Sequence, residues 1–136
     1  MKKLGIAFVA AVICLSAGVV TAKHFWRGVT MAKPQVASRW GQAPFDEQKF
    51  KSGNEKSRAS MAFSILSNQK KFVGKDRTEI RSELGDFDGF YFSDMFPTYL
   101  IESGTTPGQD SWQLVFLLDR DEKVSEVIVH KNCCDK

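Results

Sequence analysis

The stretch GKDRTEIRSELG, residues 74–85, constrains the fold more than any other part of the chain. Asp76 stands where a helix N-cap accepts from an orphan amide, and Glu79, three residues on, can return the bond to the cap's own N–H. Ile80 and Leu84 share one face at i, i+4 spacing, and Gly85 supplies the left-handed conformation that ends a helix without steric cost. The spacing predicts a helix of about two to three turns, too short to be stable alone in water. It must therefore lie on an apolar surface.

That surface follows directly in the sequence. GFYFSD and TYLIES are rich in aromatic and β-branched residues, and Met95-Phe96-Pro97 breaks them apart because proline cannot donate within a sheet ladder. In SWQLVFLLD the residues Trp112, Leu114, Phe116 and Leu118 alternate onto one face. DRDEK reads as a hairpin connection, and KVSEVIVH returns as the last strand. Upstream, SGNEKSRASMAFSILSNQKKF carries a second helix, with Ser52 and Glu55 at capping-box spacing and Ala59, Ala62, Phe63, Ile65 and Leu66 on one face. The expected fold is α+β in two layers, with two helices packed on an antiparallel three- to four-stranded β-meander.

The ends of the chain carry different information. Lys2 and Lys3 precede an uncharged apolar run, and Val20-Thr21-Ala22 offers small residues where signal peptidase cleaves. Residues 1–22 are expected to be a signal peptide directing export to a periplasm. The rival reading keeps residues 4–22 as an inner-membrane anchor, because the run is long enough to span a bilayer core. A lipid anchor on Cys14 is rejected because bulky Ile13 precedes it. Residues 23–50, punctuated by Pro34, Gly41 and Pro44, read as an extended N-terminal arm, which places the domain at 51–136.

Charge and residue inventory exclude several functions. A formal net charge of +3, with no stripe of Lys and Arg, does not point to nucleic acid. Only His24 and His130 are available as an imidazole base, and neither stands in a Ser/Cys–His–acid arrangement, so no enzyme and no cofactor are expected. Asp86, Asp88 and Asp94 resemble the start of a calcium loop but lack its closing Glu, and DFDG reads better as a turn. Cys133 and Cys134 lie just past the last strand. In an oxidising compartment they are read as a vicinal disulfide or as thiols paired elsewhere, and less readily, with His130, as a metal site. No metal is assigned. Tyr91, Phe96, Tyr99 and Trp40 are the candidates for contact with a partner, since helices on one side of a sheet leave its other face to be covered or to bind. The first reading is that the N-terminal arm, through Trp40 and Phe45, covers that face, and an exposed partner surface is the second.

Over about residues 55–130 the chain resembles the SmpA/OmlA (BamE-like) family of small bacterial envelope proteins. The resemblance rests on Gly74, Asp76, Ile80, Leu84 and Gly85, then Trp112, Leu114 and Phe116, then Val124 and Val127. It departs from the family in having Gly85-Asp86-Phe87 where Gly-Thr-Pro is usual. The same unit is similar to the repeats of β-lactamase-inhibitory proteins, which bind enzymes through the sheet. The resemblance implies a non-enzymatic module for protein binding or envelope assembly, facing another envelope or periplasmic protein and touching membrane only through an uncleaved N-terminal segment. The alternatives are an enzyme inhibitor or immunity-type protein and, behind both, a metal or redox protein using His130, Cys133 and Cys134.

Overall fold

A computed structural model describes residues 28–104 and 110–132. The expected signal peptide or anchor and the Cys133–Cys134 pair lie outside the described residues. In chain order the elements are β1 (Val29–Met31), α1 (Lys33–Trp40), α2 (Glu47–Ser52), α3 (Glu55–Ser67), a 3₁₀ turn (Gln69–Lys71), α4 (Arg77–Leu84), β2 (Thr98–Glu102), β3 (Ser111–Leu118) and β4 (Val124–Asn132). The strands form an antiparallel sheet in the order β1-β4-β3-β2. The fold is α+β with an open sheet.

α4 forms as its sequence dictates. Asp76 accepts from Glu79 N at 2.9 Å while the Glu79 carboxylate accepts from Asp76 N at 2.7 Å. Gly85 ends the helix at φ +91°. The cap of α3 differs from expectation. Asn54, not Ser52, accepts from Ser57 N at 3.0 Å. Ser52 instead closes α2 and donates to Gln48 O.

The extended arm expected over residues 23–50 is corrected from residue 28 onward, and the expected boundary at 51 falls inside α2. Pro34, taken as punctuation, sits in the first turn of α1, where its missing N–H would have had no helical partner. Asp46 caps α2 by accepting from Lys49 N at 3.0 Å. The fourth strand is thus β1, drawn from this segment. GFYFSD does not form a ladder strand.

The main core lies between the helices and one sheet face, where Phe50, Phe72, Tyr99 and Phe116 are fully buried. Their rings meet edge to face, Phe50–Tyr99 at 5.2 Å and Phe72–Phe116 at 5.4 Å, as the ring quadrupoles prefer. Leu114 and Phe116 face this core, with Trp112 and Leu118 packed at its margin, as the alternation predicts. Trp40 and Phe45 pack on this side too, so they do not cover the opposite face.

Candidate functional site

The connection between α4 and β2, residues 86–97, starts on the helix side, where Phe87 packs on the main core, and its later part, with Phe90, Tyr91 and Phe96, covers the opposite face of the sheet. Asp88 fastens its first part by accepting from Leu100 N at 2.9 Å and pairing with Arg58 at 2.5 Å. Gly89 N donates to Thr98 O at 3.0 Å, so the outer edge of β2 is occupied and closed to a further strand. Gly89 has no room for a side chain, since a Cβ there would stand 2.6 Å from Thr98 Cγ2 and 2.5 Å from Gln113 Oε1.

Gln113 is the central fastening. This side chain, 1% exposed in the middle of β3, accepts from Phe90 N at 2.6 Å and donates to Phe90 O at 2.8 Å. A polar residue buried in a sheet needs such partners, and here the partner is the backbone of the loop itself. Tyr91 then folds inward over Val115 and Ile128, with Phe96 and Leu117 at the margin. Its ring stands edge-on to His130 at 4.7 Å and to Phe96 at 5.5 Å.

The inward turn of Tyr91 forces its neighbours outward. Phe90 is 50% exposed, Phe92 66% and Met95 55%. Phe92 adopts φ +53°, a conformation costly for a bulky residue, while Ser93 N closes on Tyr91 O at 2.5 Å. The loop thus holds apolar side chains in water on a backbone strained to keep them there.

His130 lies beneath this turn. It is 5% exposed, and its Nδ1 has no hydrogen-bond partner among the described residues. Thr30 of β1 and Gln113 of β3 flank it in the ladder. Gly28 presses on it from the chain's other end: a Cβ there would stand 2.6 Å from His130 Nε2 and 3.7 Å from Phe92 Cζ. Burial pushes the imidazole down to about 4.

An open cleft of about 620 Å³ lies on the helix side, lined in part by Trp40, Lys56, Arg58, Asp88, Ile101 and Glu102. Its carboxylates are engaged in holding elements together. Glu102 accepts from Arg39 Nη2 at 2.5 Å and from Trp40 Nε1 at 2.6 Å, and the Arg39 hydrogen bond holds its carboxyl below the usual range. Glu55 takes both the N–H and the hydroxyl of Ser103, at 2.7 and 2.8 Å. Among the described residues no group of three or more His, Cys, Asp or Glu is placed to hold a metal ion.

The expected partner-contact residues divide across the sheet. Tyr91 and Phe96 come together under the loop, Tyr91 buried and Phe96 half-buried. Trp40 is half-buried at the cleft. Tyr99 is corrected: it is fully buried in the main core, donates to Gly85 O at 2.9 Å, and presents nothing to a partner. Its place in β2 turns it toward the helices, and burial raises its phenol's pKa. The residues that do reach solvent, Phe90, Phe92 and Met95, were not singled out by sequence as exposed, because a strand alternation was assumed where the chain makes a turn. The one available signal was Gln113, a polar residue at an inward position of a buried strand.

No protein-family model, curated protein or solved structure matches this chain.

Proposed function

We propose that the chain is an exported, non-catalytic interaction module of the cell envelope that docks another envelope protein on the loop of residues 89–96. The observation that carries this reading is the exposure of Phe90, Phe92 and Met95 on a loop fastened through Gln113 and Asp88. Apolar groups held out of a core at a cost in backbone strain are what a preorganised docking surface requires. The engagement of Glu55, Asp88 and Glu102 in structural bonds also favours binding over acid–base chemistry. The BamE-like resemblance points the same way.

The test places a photo-crosslinking phenylalanine analogue at Phe92, with a control at Arg120 in the hairpin between β3 and β4. A discrete protein adduct in intact envelopes from position 92, absent from position 120, is expected. Equal adducts from both positions, or none, would overturn the proposal. An adduct to lipid alone would replace the protein partner by the membrane surface.

A further inference from the structure

Resting on that reading of the loop, we propose that His130 is an acid-sensitive latch: protonation of its imidazole releases the Tyr91–Phe92 turn from the sheet and so changes the docking surface. The Tyr91 ring and the imidazole form a T-shaped pair with centres 4.7 Å apart, the Phe92 ring lies tilted at 5.7 Å, and the backbone of Gly28 closes a further side. A neutral ring suits this enclosure, whereas a charged one would sit there with Nδ1–H unpaired.

Among the described residues no carboxylate pairs with the imidazole to compensate a cation. The neighbours in the ladder are Thr30 from β1 and Gln113 from β3, and Gln113 is committed to the Phe90 backbone. Tyr91 is the one titratable side chain that the loop lays on the imidazole. Asp94 of the same loop is exposed, and Asp88 is held by Arg58 and Leu100 N. Next along β4, Lys131 adds positive charge and is itself paired with Asp110 at 2.9 Å. Lifting the turn is the route by which the imidazolium reaches water. The Phe90 fastening to Gln113 sits beside this turn and acts as its hinge.

Burial supports the same direction, holding the closed imidazole near 4 against an ordinary 6.5. The neutral ring favours closure, so closure is at full strength above pH 6.5 and weakens as pH falls toward 4. Between pH 7.5 and pH 5 these two values imply a roughly thirty-fold rise in the open-to-closed ratio of the turn.

The experiment is ¹⁹F NMR on the full-length chain in detergent with 3-fluorotyrosine, which labels both tyrosines, Tyr91 buried under the turn and Tyr99 in the main core. The expected result is a solvent-like Tyr91 resonance that grows as pH falls through this window while Tyr99 keeps its native shift. In His130→Gln the Tyr91 signal should not respond to pH. The proposal is overturned if Tyr91 and Tyr99 change together, if the His130→Gln response matches wild type, or if the His130 ring protons of the wild-type chain titrate at 6.5 with the turn still packed. Each readout concerns the isolated protein, so a missing partner in the crosslinking test would leave this result standing on its own.

Discussion

Replacing Gln113 tests how the aromatic loop is held. Gln113→Leu keeps much of the side-chain volume but removes both hydrogen bonds to the Phe90 backbone. At roughly 0.5–1.5 kcal/mol for each bond, the expected loss is about 1–3 kcal/mol, with water reaching the half-exposed Phe90 and holding the cost below that of a sealed orphan pair. Gln113→Glu is the sharper probe. A neutral carboxylic acid can accept from Phe90 N and donate to Phe90 O, imitating the amide, whereas the carboxylate sets a charge against the Phe90 carbonyl. Burial therefore raises the folded-state pKa of this Glu above the unfolded value of about 4.3. Between those two values the folded chain binds more protons than the unfolded one, so stability falls as pH rises, by up to about 1.4 kcal/mol per pH unit. Urea unfolding of wild type and both variants, compared at the same pH from 4 to 8, measures this directly. The Glu variant should lie closest to wild type at pH 4 and fall away above it. A Leu variant within 0.5 kcal/mol of wild type, or a Glu deficit that does not change with pH, would refute the assigned role.

Two further substitutions test the local structure. Asn54→Ala should destabilise by roughly 1 kcal/mol in urea melts, the usual cost of losing an N-cap, whereas Ser52→Ala should leave the midpoint nearly unmoved because Ser52 does not cap α3. Gly28→Ala meets φ +63° and a contact 2.6 Å from His130 Nε2. It should cost at least about 1–2 kcal/mol from the backbone alone and shift the His130 ring protons in NMR spectra. A variant as stable as wild type, with unmoved His130 signals, would mean that Gly28 does not close the imidazole pocket.

The parts of this protein that the sequence alone determined are those governed by local chemistry. The Asp76–Glu79 box, the end of α4 at Gly85 and the alternation of Leu114 and Phe116 depend on neighbours within a few residues, and each is legible as a spacing. Pro34 misled because a proline reads alike as a break or as the first turn of a helix until the flanking geometry is fixed. The candidate site was decided by tertiary structure. Whether Tyr91 or Phe92 meets solvent depends on a turn laid across strands that lie far away in sequence, Gln113 and His130 among their residues. Composition made GFYFSD look like a strand. Because Gln113 engages the backbone of Phe90 and Thr98 O accepts from Gly89 N, it becomes instead a loop that buries one aromatic residue and displays its neighbours.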